Sequence, residues 1–580
     1  MSQISISING RKYQADEGET VLQVAQREDI YIPALCYHCD LLPHESCRLC
    51  MVEIEGEGKL KASCTLKAFD GLRVLTDSEL VNRVLAVNLE LLFAQHEGKC
   101  EACARKDSCK LRQAVIKFSN KEKFVADKYS DRKKDKLKYQ FGPSIMFDPA
   151  KCINCENCAT MCAKQTKGGF IRPRESKYNF EVSPSLANDH DCIYCGQCIV
   201  HCPTGALSEV EDYPEVQKLL KDSTKKVVFQ FAPAIRSSIG ELFGLPPGEI
   251  ATGKIFSSLK RIGAYKVFDT SFGADVTIME ESEELINKIV SGENEVMFSS
   301  CCPAWVKYLE FYEKGFVKYL TSVRSPHIIL GGLIKTHWAK HNNINPKDIV
   351  VVSIMPCTAK KFEAKRRELR VNGFNPVDIV ITNREFAKLL KEANINLADV
   401  EPSESNDDIM GSFTGAGEIF GASGGVLEAA IRTAYFKTTG KSLEHFEFKA
   451  IHELNGIKEL ELKVNNQKLR FAAVSGIENV KIVLDKLKSD PTYYSCVEVM
   501  ACPGGCVAGG GQPLPIDDEI RKMRSKGLYK ADRENRYRES HANPDVVELY
   551  KGFFESDRMR HRICHTKFAA KNKGVIKRIK

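Results

Sequence analysis

The sequence predicts a multidomain protein of mixed α+β and α/β class, with a cysteine-dense front and a larger α/β back part. Three observations predict it. At 580 residues the chain is too long for one hydrophobic core, so about three to five domains are expected. Sixteen of the 23 cysteines lie before residue 203. After residue 210, short near-continuous apolar runs alternate with longer helical ones, as in sheets covered by helices.

Composition is that of an ordinary globular protein, 43% hydrophobic and 28% charged. No apolar run reaches the roughly 18 residues of a membrane span. The start, MSQISISINGRKYQ, alternates like a strand and lacks the basic head and apolar core of a secretory signal. A cytoplasmic protein is expected, with no membrane and no nucleic acid as partner. The net charge of +8 assumes neutral thiols, and thiolates would lower it. The basic stretch SDRKKDKLKYQ (130–140) reads as a solvated linker. Disulfides are rare in the cytosol, so the cysteines read as metal ligands.

In chain order, strand alternation at 2–8 and 51–55 predicts a small β-rich module. Its cysteines are Cys36, Cys47, Cys50 and Cys64. The plant-type two-iron pattern is C-x4-C-x2-C…C. Here the first gap is ten residues, so the match is to a longer-loop relative. Cys39 is an alternative first ligand, and tetrahedral zinc is the rival occupant. The next group, His96, Cys100, Cys103 and Cys109 in QHEGKCEACARKDSC, suits iron or zinc equally when taken alone. The third group is more specific. CINCENCATMC and CIYCGQCIVHCP are both C-x2-C-x2-C-x3-C, the bacterial two-cluster run, in which each fourth cysteine ligates the other cluster. Cys152, Cys155, Cys158 and Cys202 would hold one cluster; Cys192, Cys195, Cys198 and Cys162 the other.

In the back part the β-rich runs are KVVFQFAP, KVFDTSFGADVTI, EVMFSS, IVVVSIMP, VDIVITN and CVEVMA. Three of them run into cysteine: Cys301-Cys302, Cys357, and Cys502 with Cys506 four residues on. Open α/β sheets bind ligands at the carboxyl ends of strands, so four cysteines could converge there on one cluster. Gly504, Gly505 and Gly509–Gly511 allow the backbone to approach something bulky. Neighbours on an extended chain point to opposite sides. Cys301 and Cys302 are therefore expected to face different cavities, with one of them a ligand.

The motifs SSCCPAW (299–305), MPCTAKKFE (355–363) and EVMACPGGCVAGGGQP (498–513) resemble those of the iron-only ([FeFe]) hydrogenases, specifically the long clostridial type with accessory ferredoxin-like domains. The resemblance spans essentially the whole chain. It implies a β-grasp [2Fe–2S] domain at 1–80, a His/Cys [4Fe–4S] domain and linker at 81–140, a two-[4Fe–4S] ferredoxin-like domain at 141–210 and a two-lobed α/β catalytic domain at 211–580. It implies an enzyme of reversible H2 formation from protons and electrons, with ferredoxin or a similar redox protein as partner. Cys302, Cys357, Cys502 and Cys506 would ligate a [4Fe–4S] cubane. Cys506 would bridge to a two-iron subsite carrying CO, CN and dithiolate ligands, which dedicated maturation proteins load. His96 would be a ligand of its iron cluster.

By the same resemblance Cys301 is the proton-relay thiol, a group whose reference pKa near ~8.5 suits exchange close to neutrality. Glu281 and Glu284, on one helix face, continue the relay with Thr321 and Lys288, where clostridial enzymes have serine and arginine. Lys360 would donate to a cyanide ligand. Pro233, Ala234, Ser325, His327, Met355, Phe420 and Met500 would line the cavity. Ala234 replaces a serine and His327 a glutamine, changes that bear on redox tuning. Cys39, Cys496 and Cys564 are left as ordinary thiols.

Overall fold

The computed structural model describes residues 3–96, 100, 101, 103, 105–118, 137–175, 180–404, 409–443, 449, 450, 456–464 and 467–579, so most of the basic stretch 130–140 lies outside the described residues. Strands β1 (Gln3–Ile8), β2 (Arg11–Asp16), β3 (Met51–Ile54), β4 (Lys59–Ala62) and β5 (Arg73–Leu75) form a sheet of order β2-β1-β5-β3-β4. Only the β1–β5 pairing in it is parallel. Alternate residues Ile6 and Ile8 of β1 pack with Val52 and Val74 against helix Val21–Arg27. That helix is started by a capping box between Thr20 and Gln23.

Helix Glu79–Ala94 follows, and its Leu85, Leu89 and Leu92 recur at helical spacing. They meet Leu111 and Ala114 of helix Lys110–Phe118. Strands β6 (Lys138–Phe141), β7 (Ile145–Phe147), β8 (Ile171–Glu175), β9 (Phe180–Pro184) and β10 (Leu207–Glu209) frame the paired cysteine runs. The sheet β10-β7-β6 takes its fourth strand, Ile576–Ile579, from the far end of the chain. This stitches the C-terminus to the front part.

The back part is built on strands β11 (Lys226–Phe231), β12 (Lys266–Asp269), β13 (Met297–Phe298), β14 (Ile349–Met355), β15 (Ile379–Thr382), β16 (Lys449–Ala450), β17 (Ile457–Val464), β18 (Gln467–Ser475) and β19 (Cys496–Met500). One sheet, of order β12-β11-β14-β15, is wholly parallel. The other has the order β13-β19-β18-β17-β16, with its first three strands parallel. Both faces of β11 and β14 are buried, which accounts for their unbroken apolar runs.

The β-rich reading of KVFDTSFGADVTI is corrected: only Lys266–Asp269 is strand, and helix Thr270–Val290 begins at once. The Asp269 side chain accepts from Ser271 N at 2.8 Å, an N-cap that outweighs the β-branched residues beyond it.

Asp40 ties three regions together. Arg521 Nη1 donates to Asp40 Oδ1 at 2.7 Å, and His201 Nε2 lies 3.0 Å from Oδ2. These contacts hold the first module against both the paired cysteine runs and helix Asp518–Glu534.

Candidate metal centres

The back-part cysteines sit at strand ends of two different sheets. β13 leads to Cys302, which is the N-cap of helix Pro303–Tyr312. β14 leads through Pro356 to Cys357, and β19 to Cys502. Cys506 opens a 3-10 turn after Gly505, whose φ of 97° excludes most side chains. All four line one cavity, together with Cys301, Lys360, Met355, Met500, Phe420, Pro233, Ala234 and His327. Thr270, Ala232 and Pro326 also line it. No sequence signal pointed to these three; the ends of β11 and β12 bring two of them in.

Cys301 and Cys302 do face the same cavity, contrary to the alternation argument. The strand ends at Phe298 and the chain turns into a helix at Pro303, so the extended geometry that argument needs is absent. They occupy different walls. Cys301 packs with Ala274, Ile278, Phe420 and Met500, whereas Cys302 packs with the core that holds Cys357.

Burial, and then the charge of Glu281, pushes the Cys301 thiol well above its ordinary range. It therefore holds its proton far past neutrality, more firmly than the reference thiol. Burial also pushes Cys357 up to about 12. Thiols in such a place give up protons when a metal takes their position. Ser325, expected to line the cavity, is not among its lining residues although Pro326 beside it is; its Oγ is buried with no hydrogen-bond partner among the described residues. A cluster of soft thiolate ligands with polar groups left over around it fits iron–sulfur chemistry.

Lys360 Nζ donates to the Cys301 carbonyl at 3.0 Å and to Glu363 at 2.7 Å. His327 lies 2.8 Å from the same carboxylate oxygen and is held down near 4 by burial and the Lys360 charge. It is a neutral ring donating to Glu363.

Outward from Cys301, burial and then the Glu284 charge raise Glu281 to about 8. Its Oε1 has no partner among the described residues. Burial alone would also raise Glu284, but the nearby His565 ring and hydrogen bonds from Ser322 and Thr321 outweigh it and bring Glu284 below the usual range. Thr321 Oγ1 and Ser322 Oγ both donate to Glu284. Lys288 does not: its Nζ donates to the carbonyls of Glu295 at 2.8 Å and Val296 at 3.1 Å. His565 and Ser322 take the position beside Glu284, and sequence reasoning missed both.

In the front part, Cys36, Cys47, Cys50 and Cys64 are buried together, with Cys36 hydrogen-bonded to Cys47 and Cys50 to Cys64. Cys39 faces another cavity with His38 and Arg105. His96 Nδ1 donates to the Lys151 carbonyl at 2.8 Å. This fixes the tautomer with its lone pair on Nε2, the form a metal takes. Cys100 and Cys109 pack with Cys36, Cys47 and Cys155 in one core.

The paired runs cross. Cys158 faces Cys155, Cys152 and Cys202; Cys198 faces Cys195, Cys192 and Cys162. The second run abuts the cavity that Cys302 lines. Gln197 Nε2 donates to the Ala508 carbonyl at 3.0 Å, and Thr358 Oγ1 to the Tyr194 carbonyl at 2.8 Å. A Cβ on Gly510 would meet Gly196 Cα at 2.6 Å, so glycine permits this approach. Cys36 thus shares a core with Cys155, and Cys195 shares one with Cys302.

Comparisons with known proteins agree on a family. The model for the iron only hydrogenase large subunit, C-terminal domain, matches residues 225–510. A 2Fe-2S iron-sulfur cluster binding domain matches 1–79, a 4Fe-4S dicluster domain 144–210 and an iron hydrogenase small subunit 518–571. The chain is 38% identical to the NADP-reducing hydrogenase subunit HndD of Solidesulfovibrio fructosivorans, over 98% of this chain and 99% of that one. It is 38% identical to iron hydrogenase 1 of Clostridium pasteurianum, over 97% and 99%. Among solved structures, a variant of the [FeFe]-hydrogenase HydA1 from Chlamydomonas reinhardtii is 35% identical. It aligns with a TM-score of 0.56, over 62% of this chain and 99% of that one.

Proposed function

Since the chain belongs to the iron-only hydrogenase family, we propose that it catalyses 2H⁺ + 2e⁻ ⇌ H2 at the cavity between its two back-part sheets. The observation that carries this reading is the convergence of Cys302, Cys357, Cys502 and Cys506 on one cavity with Cys301 and Lys360. When bound, the [4Fe–4S] cubane and its two-iron subsite supply the electrons and the low-valent iron at which the H–H bond is made or split. Cys301 holds the transferable proton, and Glu281, Thr321 and Glu284 pass protons toward it. Lys360 presents an N–H to an anionic ligand, while Met355, Met500 and Phe420 exclude water.

The front part is the electron route. Its ligand sets are Cys36, Cys47, Cys50 and Cys64 for a [2Fe–2S] cluster in a β-grasp domain, His96, Cys100, Cys103 and Cys109 for one [4Fe–4S] cluster, and the two crossed sets for two more. The domains divide near residues 80, 140 and 210. The close packing of Cys195 and Gly196 on Gly510 supports transfer into the cavity cluster.

A ferredoxin-like protein is the proposed electron partner, with dedicated maturation proteins loading the two-iron subsite and the cytoplasm as compartment. No described helix is long and apolar enough to cross a membrane. A second reading of the partner rests on the likeness to HndD, an NADP-reducing hydrogenase subunit: electrons would then come from an NADP-linked partner subunit. A non-catalytic electron-transfer subunit, a redox sensor or an assembly protein would have no use for a thiol and a buried carboxyl leading into the cavity.

The test is infrared spectroscopy of the matured protein in the carbonyl and cyanide stretching region, with hydrogen assays driven by reduced ferredoxin and by NADPH. Carbonyl and cyanide bands with H2 turnover are expected. A matured protein with neither overturns the reading.

A further inference from the structure

Helix Thr270–Val290 carries two carboxylates four residues apart, Glu280 and Glu284, on one face. The ring of His565, just past helix Asp557–Cys564, stands between them. His565 Nε2 lies 2.8 Å from Glu280 Oε2, and Nδ1 lies 2.7 Å from Ser322 Oγ and 3.6 Å from Glu284 Oε1. The Ser322 hydroxyl already donates to Glu284, so it accepts from His565. Both ring nitrogens therefore face acceptors, and only the doubly protonated imidazolium satisfies both.

The ring is held in place by backbone pairing. Val323 and His565 form a β-bridge, and Arg324 Nε donates to the His565 carbonyl at 2.7 Å. The same 321–325 segment supplies Thr321 and Ser322.

We infer that His565, on the C-terminal segment that resembles an iron hydrogenase small subunit, is the positioning residue that keeps Glu284 a carboxylate and so sets the accepting end of the proton relay to Cys301. The inference rests on the reading of Cys301 as proton donor. Burial opposes a charged ring, but its hydrogen bond to Glu280, and then the Glu284 carboxylate, hold His565 up at about 9. The outcome is asymmetry along one helix: Glu281 keeps its proton and Glu284 gives its own up, the arrangement that separates donor from acceptor in acid–base pairs.

The other charged groups at this end are otherwise committed. Arg560 bridges Glu283 and Asp557, and Arg324 Nη1 donates to the Leu369 carbonyl at 2.9 Å. Tyr550 donates to the second oxygen of Glu280, and the His561 ring stacks on His565 at 5.0 Å. Lys288 Nζ is turned to the Glu295 and Val296 carbonyls and Lys437 Nζ to the Met279 carbonyl, so without His565 Glu284 keeps hydroxyl donors but no cation in ion-pair contact among the described residues.

The experiment compares the matured parent with His565→Gln, His565→Lys and Glu280→Gln, recording infrared spectra and H2 turnover from pH 5 to 10. The parent should lose turnover as pH rises, first through Glu281 at about 8 and then through His565 at about 9. His565→Gln should keep the carbonyl and cyanide bands, lose ~10-fold or more in turnover at neutral pH, and keep only the Glu281 step of the alkaline limb. His565→Lys should recover part of the rate, because it restores a cation. Glu280→Gln should move the alkaline limb to lower pH, because the ring loses one of its two carboxylates.

A His565→Gln protein with the parent's rate and pH profile overturns the inference, as does a His565→Lys protein no better than His565→Gln. If His565→Gln fails to fold, an alkaline limb unmoved in Glu280→Gln overturns it instead. A parent without turnover or carbonyl bands overturns the hydrogenase reading itself, which these variants leave standing in every other case.

Discussion

Lys360 and Glu363 form a nearly buried ion pair of 2.7 Å on the wall of the cavity. The Lys360 charge, and with it the His327 hydrogen bond, brings Glu363 down to about 2 against the cost of its burial. Replacing Glu363 by Ala would leave Lys360 a buried cation without its carboxylate, at a cost of ~3–5 kcal/mol. Urea unfolding midpoints should fall accordingly, and the cyanide bands should shift as Lys360 reorients. Unchanged midpoints and bands would show the pair to be idle.

Cys301→Ala should keep the carbonyl bands, since no proposed metal ligand is removed, and should lose ~10²-fold or more in turnover. Serine should fare little better, its hydroxyl being too weak an acid. Aspartate should retain some activity with the optimum moved toward acid, because its reference pKa is near ~3.9 before burial raises it. Cys302→Ala should instead lose the bands. Paired infrared spectra and hydrogen assays decide; a Cys301→Ala enzyme as fast as the parent would refute the division of labour between the two cysteines.

Glu281, raised to about 8 by burial and then by the Glu284 charge, has a pH signature in stability. A carboxyl whose folded pKa is raised contributes stability that is complete below its unfolded value, near ~4.3, and lost as pH rises through about 8. Glu281→Gln should remove that slope, so the variant should gain melting temperature on the parent as pH rises from ~4.3 to about 8, and gain no more above it. Its turnover should nevertheless collapse. Parallel melting curves for the two proteins across pH would count against a buried protonated Glu281.

Iron analysis and electron paramagnetic resonance of the reduced protein should reveal three [4Fe–4S] clusters and one [2Fe–2S] cluster besides the cavity cluster. His96→Ala should alter one [4Fe–4S] signal and leave the others. Zinc recovered at the His96 site would remove that cluster from the electron route.

Removing the chain up to about residue 210 should leave the cavity cluster, because all its proposed ligands lie beyond residue 300. Turnover with a small artificial reductant should partly survive while ferredoxin-driven turnover falls. The strand Ile576–Ile579 loses its partner β6 in this truncation, and an unpaired strand invites aggregation. Trimming residues 575–580 as well should improve recovery. A folded truncation without carbonyl bands would refute the modular arrangement.

What was legible in the sequence was local. The crossed runs at 152–162 and 192–203, and the strands running into Cys302, Cys357 and Cys502, are set by covalent spacing within a loop or at the end of one strand. Hence donor groups, the α/β class of the back part and the family resemblance were readable before any contact was known. The alternation argument for Cys301 and Cys302 failed where strand geometry stops, at Phe298. The reading of residues 270–278 as β-rich failed because one cap at Asp269 starts a helix there.

Tertiary structure alone decided which residues meet across the chain. Cys36 faces Cys47 while Cys39 turns to another cavity; Lys288 turns to backbone carbonyls; His565 reaches Glu280 from 285 positions away. A lone histidine near the C-terminus carries no sequence signal for such a role. Spacing along a chain is fixed by its bonds, whereas the meeting of distant side chains is fixed by how helices and sheets pack, and a single sequence does not spell that out.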